Sequence, residues 1–242
     1  MKFRMGRLLL SSLHFERLFQ SLRLLQIDLP PGFDALALEP LLAELCRRNG
    51  CMQLARVRLA VFRNAENKAE YIAEAIPLDQ NADRWQEAGL SIDIYPYARK
   101  SQDAFASLKT ANYLPYVLAA RFAEARGLDD VLVLNASNRI CDSSKANVFL
   151  LRGGELYTPP TSEGCVQGVM RRHLLQFLKN KGFIVHQHGV EEKDLEAADE
   201  IFLTNAIIGL RSVRSFREKQ YPSRFCAGLY HELLPTIYEE DC

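Results

Sequence analysis

A chain of 242 residues with 48% apolar and 25% charged residues is typical of a globular protein large enough for a sizeable core and two lobes. Thirty basic and thirty acidic residues cancel, so no overall field attracts nucleic acid or an anionic membrane, and a small molecule is the expected partner. No apolar run reaches membrane-spanning length, and the amphipathic opening residues lack the apolar core of a signal peptide. These features predict a cytoplasmic protein that does not bind a membrane.

The first half of the chain predicts a small α+β lobe over residues 1–105. Leucine and phenylalanine recur at helical spacing behind Ser11 and Ser12, which are candidate helix caps. The polar segment 64–68 separates two alternating stretches and predicts a hairpin loop. The expected elements are helices over 11–26 and 38–48 and strands over 54–62, 69–78 and 91–97.

The second half predicts a larger lobe over residues 106–242, in which helices and strands alternate. Asn112 is the candidate cap of its first helix, and Gly182 is the expected stop of the long amphipathic helix that begins with Gly164. The expected helices cover 113–126, 164–182 and 191–198, and the expected strands lie within 131–135, 139–151, 153–160, 183–187 and 200–205.

Cysteine and histidine usage favours core packing over metal or disulfide chemistry. The cysteines include no C-x-x-C pair, which predicts small core residues in a reducing compartment. They are Cys46, Cys51, Cys141, Cys165, Cys226 and Cys242. His186 and His188 alternate on an expected strand, and no cysteine or carboxylate spacing completes a tetrahedral set, so no metal is expected.

Four short segments carry groups suited to catalysis or anion binding. Lys109 precedes an apolar helix, where a neutral amine can attack a carbonyl. Gly168 enters a helix whose free amides can bind phosphate. His14 and Arg17 lie on one helical face, and Asp142 lies in a strand, where a buried carboxylate needs a donor. Taken singly, each also fits an ordinary surface or structural role.

Together, these segments resemble the class IV aminotransferases, the pyridoxal-phosphate enzymes of fold type IV, over most of the chain. The resemblance depends on their order: HFERL, LKTANYL, ICDSSKANVFL, LYTPP, GCVQGVMR and LTNAIIGLRSV. It implies two α/β lobes with the cofactor in a cleft between them, and a homodimer whose partner chain contributes to the site.

The resemblance also assigns roles to individual residues. Lys109 is similar to the lysine that forms a Schiff base with pyridoxal phosphate and moves a proton during the reaction. A nearby helix start and the cofactor's positive charge would lower the pKa of its free amine. Asp142 takes the place of the carboxylate that pairs with the pyridine nitrogen. The implied phosphate-binding residues are Arg17, Gly168, Val169, Met170, Thr204, Asn205 and Ala206.

The chain departs from the common family pattern at two places. Most family members carry glutamate where this chain has Asp142, so the ring must lie closer or a water must bridge. Family members also have one or two strands before the H-x-x-R-L helix, and here only residues 1–12 precede it. This predicts either a smaller first lobe or a chain that starts late. A residue that contacts the ring or the substrate from this region would then be missing.

The K-T-A-N spacing and the LTNAI segment favour the lyase and D-amino-acid transaminase branches over the branched-chain enzymes. The leading expectation is 4-amino-4-deoxychorismate lyase, which releases pyruvate and 4-aminobenzoate. An amino-acid transaminase of the D- or branched-chain type, a non-catalytic family relative, and a domain without cofactor remain alternatives. The candidate ligands of a substrate carboxylate are Arg63, Arg99, Arg211 and Arg214.

Overall fold

A computed structural model describes residues 1–239 of the chain. The chain divides into two compact units, one formed by Met1–Arg84 with the chain end from Pro235, the other by Trp85–Leu234. The mixed α/β fold class that the sequence predicted is confirmed. The division precedes the expected boundary at 105/106, because the strand Leu90–Lys100 pairs with strands of the second unit.

The first unit is an antiparallel sheet covered by two helices. Its elements are β1 (Lys2–Arg4), β2 (Arg7–Leu9), α1 (Ser11–Leu24), α2 (Ala35–Arg48), β3 (Leu54–Arg63) and β4 (Ala69–Pro77). The sheet order is β2-β1-β3-β4. Phe3, Phe15, Leu38 and Leu42 are buried together in its core. Two short strands therefore precede α1, within the segment that the sequence left without elements.

The ends of the first two helices differ from the expected ones. The cap of α1 is Leu10, which has a left-handed backbone (φ 54°) and no side-chain cap bond. The expectation that Ser11 and Ser12 cap this helix was wrong, since both lie within it. Helix α2 begins earlier than expected, because the Asp34 side chain accepts a bond of 2.9 Å from the Ala37 amide.

The second unit is built on one large mixed sheet. Its strands are β5 (Leu90–Lys100), β6 (Asp130–Asn135), β7 (Ile140–Ser143), β8 (Asn147–Arg152), β9 (Glu155–Thr158), β10 (Val185–Gln187), β11 (Glu200–Asn205), β12 (Gly209–Phe216) and β13 (Lys219–Gln220). Its helices are α3 (Leu114–Ala125), α4 (Val169–Asn180), α5 (Glu192–Ala197) and α6 (Arg224–Glu239), of which the last residues, from Pro235, are counted with the first unit. The strand order is β10-β9-β8-β11-β12-β5-β6-β7, with β13 paired to β12.

Strands β5 and β6 are parallel, so the chain between them forms a crossover that contains α3. The cap of α3 is Tyr113 without a side-chain bond, and the expected cap Asn112 was wrong. Helix α4 begins at Val169 rather than Gly164, because Gly164 has a left-handed backbone (φ 88°) and residues 164–168 form a loop. This loop and the crossover position the candidate site.

Sequence periodicity did not predict α6, which contains Pro235. Its start is stabilised from another element, since the buried Glu200 side chain accepts bonds from the Phe225 and Cys226 amides at 2.8 and 3.0 Å. Within residues 1–239, none of the helices combines the length and apolar character needed to cross a membrane. The five cysteines in this range are buried free thiols, as expected, and Cys242 lies outside it.

Candidate active site

The side chain of Asp142 is the centre of a buried polar cluster in the second unit. It lies on β7 and is 3% exposed. Its Oδ2 atom accepts bonds from the Tyr116 hydroxyl (2.7 Å) and the Val166 amide (2.8 Å), and the Lys100 ammonium lies 3.5 Å from it. Its Oδ1 atom accepts a bond of 2.8 Å from Asn147. The buried carboxylate therefore has the cation and the donors that its position required.

Electrostatics in this cluster are dominated by burial. Burial raises the pKa of the Asp142 carboxyl, and Lys100, Tyr116 and the Val166 amide act in the opposite direction. Burial also raises the pKa of the Tyr116 phenol, with the neighbouring Asp142 adding to the effect. The phenol consequently keeps its proton at neutral pH and acts as a donor to the carboxylate.

The loop before α4 approaches this cluster closely, and two glycines permit the approach. A Cβ on Gly168 would lie 2.0 Å from the Asn147 Oδ1 atom, and one on Gly164 would lie 2.5 Å from the Ser101 carbonyl oxygen. Asn147 also donates to the Val166 carbonyl at 2.9 Å. The same asparagine thus joins the loop to Asp142, and larger residues at either glycine would push the loop away.

Lys109 lies in the crossover after β5, on the segment that faces this loop. The Gln167 amide donates to the Ser107 carbonyl at 2.9 Å, which ties the loop to the chain two residues before the lysine. Leu108 and Ala106 are buried and anchor the segment, whereas Lys109 itself is exposed. The backbone therefore holds the lysine segment beside the start of α4 and leaves its side chain accessible to a small molecule.

The start of α4 has the features of an anion site. Its cap Gly168 contributes no side chain, and the first two helical residues, Val169 and Met170, are buried. The first amides of a helix have no partner within the helix, and the helix dipole adds positive charge there. These amides are the donors that a phosphate group would use.

The turn after β11 is organised by its own side chains. The Thr204 hydroxyl donates to the Gly209 carbonyl at 2.9 Å. The Asn205 side chain accepts bonds from the Ile207 and Ile208 amides at 2.9 and 3.0 Å. Thr204 lies opposite Asn147 in the register of β11 and β8, so the turn through Ala206 continues from a strand that borders the Asp142 cluster.

Arg17 belongs to the first unit, where it lies on α1 near the buried His14. Burial lowers the pKa of Arg17 to about 10, so the guanidinium is still charged at neutral pH. Burial and the neighbouring positive charges hold the pKa of His14 well below its usual value, and this imidazole is neutral. The role of Arg17 at the phosphate stays a prediction.

Comparison with known sequences decides the family, since residues 1–216 match the sequence profile of the amino-transferase class IV family. The chain belongs to this family. It is 30% identical to an aminodeoxychorismate lyase of Vibrio harveyi over 129 residues, which are 53% of this chain and 48% of that protein. It is 32% identical to the branched-chain-amino-acid aminotransferase 1, mitochondrial, of Arabidopsis thaliana over 120 residues, 49% of this chain and 31% of that protein.

The fold of the class IV family is also found by structural comparison. A branched-chain aminotransferase of the archaeon Thermoproteus uzoniensis, solved with norvaline, superimposes with a TM-score of 0.83 at 22% identity. The aligned part covers 99% of this chain and 85% of that one. The curated relatives are matched over shorter stretches, since the chain spans about half of the lyase and about a third of the plant aminotransferase.

Within this class IV chain, the four arginines proposed for a substrate carboxylate have different surroundings. Arg63, in the first unit, donates to the Leu25 carbonyl at 2.7 Å at the end of α1. Arg99 bonds to Asn138 at 2.9 Å, and Arg214 contacts the Ala88 carbonyl at 3.4 Å. Arg211 is buried and donates to the Ile208 and Leu210 carbonyls. Among the hydrogen bonds of residues 1–239, these contacts lead to backbone carbonyls or to Asn138, and none of them reaches Asp142.

The residues present fit pyridoxal phosphate. The start of α4, which has no side-chain cap, supplies amide donors, and the absence of a side chain at Gly168 lets the loop lie directly against Asn147. Each oxygen of a carboxylate has about two acceptor directions. Among the hydrogen bonds of the described residues, Oδ2 of Asp142 accepts three and Oδ1 accepts one. One direction at Oδ1 is therefore available to a pyridine N–H group.

Sequence reasoning missed the partners of Asp142. Asn147 stands in the quoted ICDSSKANVFL segment, where an amide five residues after the carboxylate was a usable signal. Tyr116 and Lys100 gave no such signal, because their contact with Asp142 depends on how the crossover and β5 pack. Among residues 1–239, no group of three or more histidine, cysteine or acidic side chains is placed to hold a metal ion.

Proposed function

We propose that this class IV chain is a pyridoxal-phosphate-dependent enzyme that acts on a small primary amine, with Lys109 as its catalytic residue. The observation that carries the proposal is the convergence of three segments. The loop 166–168 bonds to Asp142 through the Val166 amide at 2.8 Å and to the lysine segment through Ser107 at 2.9 Å. A carboxylate, a helix start and an accessible lysine are thereby held together.

The chain's own residues divide the work of holding the cofactor. The Val169 and Met170 amides, the Thr204–Ala206 turn and Arg17 would bind the phosphate. Asp142 would accept the ring N–H at Oδ1 and keep that nitrogen protonated. Pyridoxal phosphate, when bound, supplies an aldehyde for the substrate amine and a ring that accepts electrons from the substrate carbon. The Lys109 amine would carry a proton between the two sides of the reaction.

The reaction that these residues support best is the 4-amino-4-deoxychorismate lyase reaction, which yields pyruvate and 4-aminobenzoate. The K-T-A-N spacing after Lys109 and the 30% identity to the Vibrio harveyi lyase favour it. The second candidate is an amino-acid transaminase, which the 32% identity to the Arabidopsis thaliana aminotransferase favours. In both reactions Lys109 moves a proton, so the two share one set of catalytic groups.

One incubation separates these candidates. Purified protein loaded with pyridoxal phosphate is given 4-amino-4-deoxychorismate alone, or a panel of L- and D-amino acids with 2-oxoglutarate. Release of pyruvate without an amino acceptor establishes the lyase, whereas acceptor-dependent formation of a keto acid establishes the transaminase. Lys109→Ala is the control that removes the proposed amine. Turnover in neither assay, at full cofactor occupancy, indicates a non-catalytic relative.

We also propose a cytoplasmic homodimer. Leu114, Val117 and Leu118 form an exposed apolar face at the start of α3, with side chains 65%, 40% and 44% exposed. Apolar faces of this kind are commonly covered by another protein surface. Sedimentation equilibrium tests the oligomeric state. A dimer is expected for the natural chain and a monomer for Leu118→Glu. A monomeric natural chain at micromolar concentration contradicts it.

A further inference from the structure

Lys100 is a second lysine of the site, distinct from the exposed Lys109. Its side chain is only 11% exposed, and its ammonium lies 3.5 Å from Oδ2 of Asp142 and 5.1 Å from the centre of the Tyr116 ring. Lysine side chains are rarely this buried unless they are paired. The position therefore indicates a specific role beside the carboxylate.

The backbone of β5 directs Lys100 to this place. The pairing of β5 with β6 shifts register between Ile94 and Arg99, as at a β-bulge. A bulge changes the direction in which the following side chains point. Arg99 consequently lies exposed against Asn138, whereas the next residue, Lys100, extends to the buried Asp142.

Lys100 is the cation in contact with this carboxylate. The other titratable groups that influence Asp142 are Tyr116 on α3, Cys141 on β7 and Cys165 in the loop, together with Arg171 on α4. Burial raises the pKa of Tyr116, Cys141 and Cys165, so they are neutral at physiological pH. The Arg171 guanidinium is held by the Pro159 carbonyl and Gln187, each at 2.9 Å.

We infer that Lys100 is a positioning residue for the cofactor ring: it is the internal counter-ion of Asp142 and shares that carboxylate with the ring nitrogen. The inference rests on the proposed function, which gives Asp142 the ring nitrogen as a partner. Lys100 lies at Oδ2, and Oδ1, which accepts one bond from Asn147, would accept the ring N–H group. Two cations then divide one carboxylate in a buried site, where their mutual repulsion is strong.

This arrangement has a measurable consequence for recognition of the ring nitrogen. With Lys100 present, part of the negative charge of Asp142 is already compensated, and a protonated ring nitrogen gains less from it. Without Lys100, the ring nitrogen is the sole cation at the carboxylate, so the preference for a ring that contains nitrogen increases. A lysine that only supports the fold would not change this preference.

The experiment compares the dissociation constants of two ligands, pyridoxal phosphate and its carbocyclic analogue, in which C–H replaces the ring nitrogen. For Lys100→Met, the ratio of the analogue's constant to that of pyridoxal phosphate is expected to rise about tenfold over the natural chain, equivalent to about one pKa unit. Lys193→Met removes an exposed ion pair with Glu191 (2.7 Å) and is the matched control, with an unchanged ratio. Lys100→Arg keeps the charge and is expected to retain the natural ratio.

An unchanged ratio in Lys100→Met overturns the inference while leaving the proposed function in place. Failure of the natural chain to bind pyridoxal phosphate overturns both. If Lys100→Met does not fold, Lys100→Gln replaces it, because a neutral amide can still donate to Oδ2. The same rise in the ratio is expected for this variant, and its absence counts against Lys100 as counter-ion.

Discussion

Two buried carboxylates of the second unit, Asp142 and Glu163, show how similar groups serve different purposes. Oε2 of Glu163 accepts bonds from Asn135 (2.6 Å), Arg139 (2.8 Å) and Gln102 (3.3 Å). The Arg139 side chain is 36% exposed, so water reaches the cation that pairs with Glu163. The cation beside Asp142 is far less accessible.

The donors to Asp142 also come from a wider set of elements. Lys100 ends β5, Tyr116 lies in α3, Asn147 begins β8, and Val166 belongs to the loop before α4. Glu163 fixes one short 3₁₀ turn against the β6–β7 hairpin. A carboxylate that joins four elements sets the geometry of a site, whereas one that fixes a single turn mainly stabilises the fold.

The largest expected difference is between Asp142→Ala and Glu163→Ala. Asp142→Ala leaves Lys100 buried without its carboxylate and is expected to lower the free energy of unfolding by about 3 kcal/mol. Glu163→Ala leaves Arg139, which can be hydrated, and is expected to cost about 1 kcal/mol. Urea denaturation of the cofactor-free chains measures both. Equal losses would mean that the two carboxylates have equivalent roles.

The next largest effect concerns the loop that carries Val166. Gly168→Ala places a Cβ at 2.0 Å from Oδ1 of Asn147 and must displace this side chain, which also bonds to Asp142. We expect a loss of about 2 kcal/mol in unfolding free energy and weaker binding of pyridoxal phosphate. Gly228→Ala in α6 is the control, because open space surrounds it and helix propensity favours alanine by about 1 kcal/mol. A tolerated Gly168→Ala would show that the loop does not depend on close approach.

A smaller effect is expected for Tyr116→Phe, which removes one donor from Asp142. A hydrogen bond to a buried charge contributes about 1.5 kcal/mol to stability. Tyr157→Phe is the matched control, because the Tyr157 hydroxyl bonds at 3.2 Å to the exposed Glu155. We expect a change of about 0.5 kcal/mol or less there. Thermal or urea unfolding distinguishes the two, and a loss in Tyr157→Phe as large as that in Tyr116→Phe would contradict the comparison.

The smallest expected effect is the pH dependence of the free energy of unfolding. Its sign should differ between a buried and an exposed carboxylate. Burial raises the pKa of Asp142 above its usual 3.8, so at a pH between 3.8 and the folded pKa the folded chain retains a proton that the unfolded chain has lost. The stability difference between the natural chain and Asp142→Asn should therefore fall as pH rises from 3.8 through the folded pKa, and then level off. A rise in this difference would instead mean that Lys100, Tyr116 and the Val166 amide outweigh the effect of burial on Asp142.

Glu44 in the first unit has a pKa that is shifted in the opposite direction. Hydrogen bonds from Arg47 and Arg48 lower its pKa from 4.5 to about 2. Its contribution to stability is present above pH 4.5 and is lost as pH falls towards 2, so the difference between the natural chain and Glu44→Gln has the reverse slope. Denaturation curves measured from about pH 2 to about pH 8 test how both stability differences change with pH.

Much of this fold could be predicted from local pattern. The helical spacing in α1, the alternation in β3 and β4 and the glycine before α4 each correspond to observed elements. Helix α6 was missed, because Pro235 interrupts its pattern and its start is stabilised by Glu200 from a remote strand. Periodicity contains no information about such a partner.

The candidate site was predictable only in part. The need of Asp142 for a cation followed from its place in a strand, but the identity of that cation did not. Lys100 stands beside Arg99 in the sequence, and a register shift in β5 determines which of the two turns inward. A sequence pattern with strict alternation cannot locate such a shift, so the choice between neighbouring cations needed the structure.

The four-element environment of Asp142 has a consequence for the order of folding. Its contacts with Lys100, Tyr116 and Val166 span 42, 26 and 24 residues of sequence, so each closes a long segment of chain. Because closing such segments costs conformational entropy, we expect these contacts to form late in folding. Hydrogen exchange at the Val166 amide should consequently report on completion of the native state, and nascent chains should gain affinity for the cofactor only at that step.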